Sequence, residues 1–392
     1  MKAKQLYTYC MFLVVFVVAL ANATQGVMLN NFIEHYALEA ASQGAIGSAQ
    51  GFGQLFALCL VFVLAGKISK SAIATTTILC VAAILLGISF APPFVLLCFL
   101  FGLMGFSFGT ADSMASSLIA DLFDGEATHK YMSRLHGIFG LGGLIAPLFY
   151  LSLSNAGLSW DMAIRVMVAI MAVILMLYLI LLRTATREIT LPKTSNQNIT
   201  SADIKVFFKS GTGVLLILCA LFYGLHQSIV AVWIYRYVSV FLNGPILGAL
   251  SLSLFWAGTT ISRLIMHKVP ISPIKIVLWG NLAAAAVMCI GIVSASPAVM
   301  TVFIAAAGLL GGVTIPVLLA SGCEEKNCNT ILPTNLIFLA IVAAYMCSPL
   351  IVGALVARTS MSAGILLSAL CALACGVLTC FYVRKKLPVG ND

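Results

Sequence analysis

Charge is what this sequence has least of. Only 8% of its 392 residues are Asp, Glu, Lys or Arg, while 61% belong to the hydrophobic set, and the mean hydropathy is +1.10. A soluble domain carries about 25% charged residues, so too few are present here to coat a water-facing surface. Lipid must cover most of the chain. That excludes a secreted, cytosolic or nucleic-acid-binding globule. Twenty-one basic and twelve acidic residues leave a net charge of +9, which in a membrane protein reports cytoplasmic Lys and Arg rather than an acidic partner.

Further absences narrow the function. No Walker-type phosphate loop is present to drive a cycle with ATP. No selectivity-filter sequence, Arg-rich voltage-sensing span, HExxH pair or nucleophile elbow occurs either. The expectation is not an enzyme, with no cofactor and no metal. Of twelve Cys, ten (Cys10, Cys59, Cys80, Cys98, Cys219, Cys289, Cys347, Cys371, Cys375, Cys380) lie inside apolar runs, where a thiol acts as a small hydrophobe. Cys323 and Cys328 flank a short charged loop, but no His or second Cys pair completes a zinc site.

What is present is a series of long apolar runs. Crossing about 30 Å of hydrocarbon takes roughly 20 helical residues, and twelve stretches qualify: 7–33, 43–66, 72–90, 93–120, 131–154, 160–183, 211–238, 244–266, 273–294, 297–321, 330–357 and 361–384. They lack the alternating polarity of barrel strands. The first is too long for a signal-peptide core and has no cleavage site after it, so it reads as a span. The longest polar interval, 184–210, separates six spans from six. The expected fold is therefore an all-α membrane protein of twelve transmembrane helices in two pseudo-symmetric six-helix bundles, 1–183 and 211–392, joined by a cytoplasmic loop, 184–210.

Eighteen of the twenty-one basic residues fall in the termini and in the loops on one side; Arg165, Arg236 and Arg358 do not. The positive-inside rule places that side in the cytoplasm, and an even span count puts both termini there. A multi-pass protein of the plasma (inner) membrane follows. Lys67 and Lys70 after span 2 and Arg263 at the end of span 8 form short basic turns at matching places in the two halves, as duplicated transporter halves do. They are the candidate gating-loop residues.

Polar residues within spans cost free energy and mark function. Asp112 sits mid-span between Thr110 and Ser113; a carboxylate at a span centre costs about 2.5–3.5 kcal/mol on insertion scales. A low-dielectric setting favours a carboxyl group's neutral form, which suits reversible protonation. Asp112 is the candidate coupling residue, with a structural Asp bonded to Ser113 or Ser116 as the plainer reading. Candidate solute ligands are Asn22 and Gln25 in span 1, Gln50 and Gln54 in span 2, His136 in span 5, Tyr223, His226, Gln227 and Trp233 in span 7, and Asn335 in span 11. His226, Trp233 and Tyr237, spaced by seven and four, form one helical stripe. Amides pair hydroxyl groups and aromatic rings cover C–H faces, a combination suited to a polyhydroxylated solute. Amides and histidines also join transmembrane helices to one another, and His35 reads as a solvated loop residue. Glycine groups in spans 4, 5 and 10 permit close helix approach, and Pro147 and Pro316 can kink their helices.

The 6+6 pattern with basic 2–3 and 8–9 loops resembles the major facilitator superfamily. Within it, Gly105-Phe-Ser-Phe-Gly109-Thr-Ala-Asp112-Ser113 is similar to the span-4 signature of the branch that holds fucose/proton symporters and sodium-dependent glucose transporters. Leu135-His136-Gly137-Ile-Phe139-Gly140 with Pro147-Leu148 resembles that branch's span-5 motif. Tyr223 with Trp233, Trp256 with Arg263, and Gly311 with Pro316 resemble its patterns in spans 7, 8 and 10. The resemblance implies the major facilitator fold, a protonatable Asp112, and His136 as the span-5 motif histidine. Departures are Ser116 where relatives often have Asn and a first span without a carboxylate, while Gln227 stands where they often carry an acid or amide. Ile68-Ser69-Lys70 also replaces the superfamily's usual loop Asp.

The leading expectation is a monomeric secondary transporter that imports a small polar solute, a monosaccharide or the like, with protons or sodium by alternating access. The alternatives are a proton-coupled drug or metabolite exporter, half-supported by Gly143 and Ala146-Pro147, and a non-transporting membrane sensor or scaffold. Membrane lipid is the other expected partner, and no nucleic acid is.

Overall fold

A computed structural model describes residues 2–40, 42–64, 70–123, 126–186, 205, 207–209, 211–323 and 331–386. All regular elements among them are helical. The first half holds α1 (Lys2–His35), α2 (Ala45–Leu64), α3 (Lys70–Ile88), α4 (Phe94–Leu122), α5 (Glu126–Asn155) and α6 (Trp160–Thr186). The second holds α7 (Thr212–Arg236), α8 (Pro245–Ile265), α9 (Pro273–Ser294), α10 (Pro297–Gly311), α11 (Thr314–Cys323), α12 (Ile331–Arg358) and α13 (Met361–Lys386). Among the described residues, ten segments are long and apolar enough to cross a bilayer, with α10 and α11 counted as one crossing, Pro297–Gly322. The apolar helix Ala72–Ile88 within α3 and the twenty uncharged residues of α2, about 30 Å at 1.5 Å per residue, complete twelve.

Local chemistry sets the helix ends. Pro245, Pro273 and Pro297 occupy the first turn of α8, α9 and α10, where the missing N–H costs nothing and φ is already helical. Ser296 caps α10 by accepting from the Val299 N–H. The end of α7 runs on as a π-helical turn, Tyr237–Phe241. The tenth span reads in the sequence as one apolar run that Pro316 can kink, and the helix breaks at Gly312 and Val313. The reason lies in Pro316, which has no N–H for the carbonyl four residues back and whose ring crowds it.

By contacts the chain divides into two units, Met1–Glu39 with Ala45–Asn196, and Ala40–Gly44 with Gln197–Asp392. In the first unit α1 is the most enclosed helix, with Cys10, Met11, Val14, Val17 and Ala21 wholly buried. Glycine brings α2 and α4 into near backbone contact: a Cβ on Gly105 would stand 1.7 Å from the Gln50 carbonyl oxygen, and one on Gly53 1.8 Å from that of Gly102. In the second unit α8 and α10 meet in the same way, through Gly258 and Gly308. Such approach is what holds apolar helices together in lipid, where burial gives no hydrophobic gain. The segment Ala40–Gly44 belongs with the second unit because Gly44 lies against Pro349 of α12 and a Cβ would be 2.1 Å from its carbonyl oxygen.

Candidate functional site

In the first unit, antiparallel helices bring two polar pairs together. Asp112 lies ten residues before the end of α4, and His136 ten residues after the start of α5. At equal depth, about 15 Å from those ends, the two face one another, with His136 Nδ1 3.9 Å from Asp112 Oδ1. Neither is sealed off: their side chains keep 24% and 19% of their accessible surface, histidine first. The distance is too long for a direct hydrogen bond but leaves room for one bridging water. The second pair joins α1 to α2, with Gln50 Nε2 donating to Asn22 Oδ1.

Around these pairs hydrogen-bonding capacity is left over. Gln50 Oε1, Gln25 Nε2, Ser48 Oγ and Ser116 Oγ are buried without a partner among the described residues. Buried polar atoms are satisfied in the great majority of cases, so open ones on the same helices as these pairs mark where a polar guest would bond. Gln25 lies three residues from Asn22, hence on its face of α1. Gln54 is half-buried beside Gly109 of α4. α1 packs on both α4 and α5, and α2 on α4.

In the second unit α7 carries Tyr223, His226, Gln227 and Trp233, all buried. The stripe they suggested is in part a helix seam. The Ser368 hydroxyl of α13 donates to the His226 carbonyl (3.0 Å) and accepts from His226 Nδ1 (2.9 Å). One turn beyond Trp233, the Tyr237 hydroxyl lies 3.4 Å from Ser362 Oγ, also of α13. That geometry assigns the proton to Nδ1 and leaves Nε2 as a bare acceptor. His226 Nε2, Gln227 Nε2 and Trp233 Nε1 are buried without partners among the described residues. Tyr223 packs against the His226 ring, centroids 5.7 Å apart, and beside Gly311 at the α10–α11 break.

Arg263 is buried, and its Nε donates to the Gly312 carbonyl, 3.0 Å away. Lys67 lies outside the described residues, as do the side chains of Lys70 and Asn335. Cys328 and the side chain of Cys323 lie outside them too, and no cluster of three or more metal-ligating side chains occurs among the described residues. His35 differs from expectation. It ends α1 and, although exposed, its ring meets Tyr36 and Trp160 edge-on, at 4.7 and 5.5 Å, because α6 starts beside the end of α1.

Several polar contacts between helices were not anticipated, two of them beside the residues described above. Thr24 and Tyr150 join α1 to α5 at 2.9 Å. Asn281, fully buried in α9, donates to Thr314 Oγ1 at 2.8 Å, across the same helix break. A lone amide in an otherwise apolar run was the signal for the second. Nothing local distinguished the first.

A family profile described as Major Facilitator Superfamily matches residues 11–326. No curated protein sequence matches the chain. Solved structures do. A transporter of that superfamily, FucP in its outward conformation, is 16% identical with a TM-score of 0.67, covering 96% of this chain and 98% of that one. A bacterial homolog of the human lysosomal transporter Spinster, inward-facing and occupied, gives 13% and 0.71 over 96% of each chain. A variant of the nucleoside transporter NupG gives 14% and 0.73 over 97% and 100%. At such identities the likeness establishes the fold.

Proposed function

The chain belongs to the major facilitator superfamily, a transporter rather than an enzyme, and from that premise we propose that it imports a small polar solute together with protons by alternating access. The observation that carries the coupling is the facing of Asp112 and His136 at 3.9 Å in partly accessible positions. A single water bridging a carboxyl and an imidazole at this spacing would relay one proton between them. The pair is neutral overall both as acid with imidazole and as carboxylate with imidazolium. Protonation from one side and release to the other then change the charge within the first unit, and that change is the coupling step. Sodium in place of the proton would engage the carboxylate alone.

Asn22, Gln25, Gln50 and Gln54 in the first unit and Tyr223, Gln227 and Trp233 in the second are the solute contacts we assign, with the Nε2 of His226 as a further acceptor. Amide donors and acceptors beside aromatic rings fit a polyol, and a monosaccharide is the solute class we favour. The fucose:proton symporter of E. coli, which the fold resembles at a TM-score of 0.64 and 16% identity, agrees with that reading. Lys67, Lys70 and Arg263 are the residues we assign to gating. We place the protein in the plasma (inner) membrane with both termini cytoplasmic, 1–183 and 211–392 forming the two bundles and 184–210 the loop between them, and we take it to act as a monomer.

Uptake of labelled hexoses into vesicles, with and without an inward proton gradient, tests this. Accumulation above the external concentration only with the gradient supports it. Hexose entry unaffected by the gradient, or none at all, overturns it.

A further inference from the structure

At the end of the first unit opposite the N-terminus of α1, residues of α1, α6 and the turn after α3 line an open recess of about 380 Å³, among them His35, Ser89, Phe90, Trp160, Asp161 and Arg165. It belongs to neither polar pair described above. We propose that it binds the headgroup of a zwitterionic phospholipid bearing a primary ammonium.

The charges come first. Arg165 and Asp161, one turn apart on α6, pair at 3.3 Å, yet keep 39% and 29% of their side-chain surface. The guanidinium is held in place from behind: Nη2 donates to the Ser89 carbonyl (3.1 Å), Nε to Ser89 Oγ (3.4 Å), and the Phe90 ring lies 5.4 Å below. Its Nη1 is spent only on the thioether of Met162, at 3.4 Å. Sulfur of that kind is a weak acceptor, and a phosphate oxygen would displace it, since Arg–phosphate bonds are charge-assisted. The recess is thus a fixed cation beside a fixed anion, the mirror of a phosphate beside an ammonium. The His35 and Trp160 rings form the adjoining wall, and an indole face such as that of Trp160 attracts an ammonium group.

Position supplies the second argument. The recess lies at the helix ends, at the level of lipid headgroups, and a lipid-facing surface continues from it. Leu79 and Leu86, seven residues apart, lie exposed on one face of α3, Phe90 follows in the turn after it, and Ile170, Val173 and Leu177 lie exposed on α6, which packs beside α3. Phe90 is 68% exposed and Val173 67%, so acyl chains have an apolar seam to follow. A net anionic lipid fits less well, because Asp161 lines the recess and Glu34 and Glu39 stand at the same end of the unit.

The test uses the purified full-length chain and native mass spectrometry with equal amounts of palmitoyl-oleoyl phosphatidylethanolamine, phosphatidylcholine and phosphatidylglycerol. The unsubstituted protein should retain one phosphatidylethanolamine at least tenfold over the other two. Arg165→Gln should abolish that retention, and Asp161→Asn should erase the preference over phosphatidylcholine, whose quaternary nitrogen has no N–H for the carboxylate. Soluble phosphoethanolamine at millimolar concentration should not compete. Equal retention of the three lipids by the unsubstituted protein, a result that needs no variant to fold, would overturn the proposal. So would displacement by phosphoethanolamine, which would mark a site for soluble ligands.

Discussion

The Nε–H of Arg263 points at the Gly312 carbonyl oxygen, 3.0 Å away, and that oxygen is the one Pro316 deprives of its helical donor. A buried carbonyl with no partner is costly, so a cation from the neighbouring helix meets the need created by the proline. Arg263→Ala should lower stability by about 1.5–3 kcal/mol, the range for hydrogen bonds to charged groups. Pro316→Ala returns an N–H to the same carbonyl. In that background the cost of Arg263→Ala should fall by about 1 kcal/mol or more, measured as a double-mutant cycle in thermal unfolding. Strict additivity would count against this assignment.

His136 is assigned here as the partner through which Asp112 exchanges its proton. His136→Gln keeps a polar side chain of similar size but cannot carry the charge. Gradient-driven uptake should drop by tenfold or more, while solute exchange at equal pH on both sides changes less than threefold. Transport assays in reconstituted vesicles separate the two rates. A parallel loss of both would point to a structural histidine.

The amide pair between Gln50 and Asn22 holds one donor and one acceptor in a fixed relation at the α1–α2 contact, with Gln50 Oε1 left open. Gln50→Leu removes both functions and should weaken solute affinity at least tenfold, about 1.4 kcal/mol. Gln50→Glu keeps the acceptor oxygen, adds a charge and loses the donor to Asn22. Equilibrium binding of labelled hexose reads both, and unchanged affinity in both would remove Gln50 from the solute site.

Gly105 carries a sharper constraint, for the Gln50 backbone lies where its Cβ would be. Gly105→Ala must spread α2 from α4 and should cost about 3 kcal/mol, at the upper end for overpacking, visible as lost expression or a lowered melting temperature. Gly137→Ala is the control, since nothing stands within 4 Å of the added carbon; it should be nearly neutral.

Much of this fold is legible in the sequence, for one physical reason. Charge is so scarce that each loop stands out between apolar runs, and twelve crossings follow from length alone. The break in the tenth is not legible from hydropathy, which is continuous across 297–321, although Gly311-Gly312 and Pro316 were its signal. Nor does local sequence place Ala40–Gly44 with the second unit, because that rests on contact with Pro349, some three hundred residues away. At the site, Asp112 and His136 were each visible as ionisable residues within spans. Their pairing needed the antiparallel register of α4 and α5. The stripe of His226 and Tyr237 was visible by its period, but a period gives a face and not what lies opposite. Ser362 and Ser368 of α13 turn part of that face into a seam.

The central claim is that the carboxyl group of Asp112 carries the proton that drives accumulation, and Asp112→Asn, isosteric and fixed in charge, tests it most directly. In vesicles with an imposed inward proton gradient, the variant should show no accumulation of labelled hexose above the external concentration while still exchanging internal for external solute. Gradient-driven accumulation equal to that of the unsubstituted protein would contradict the account.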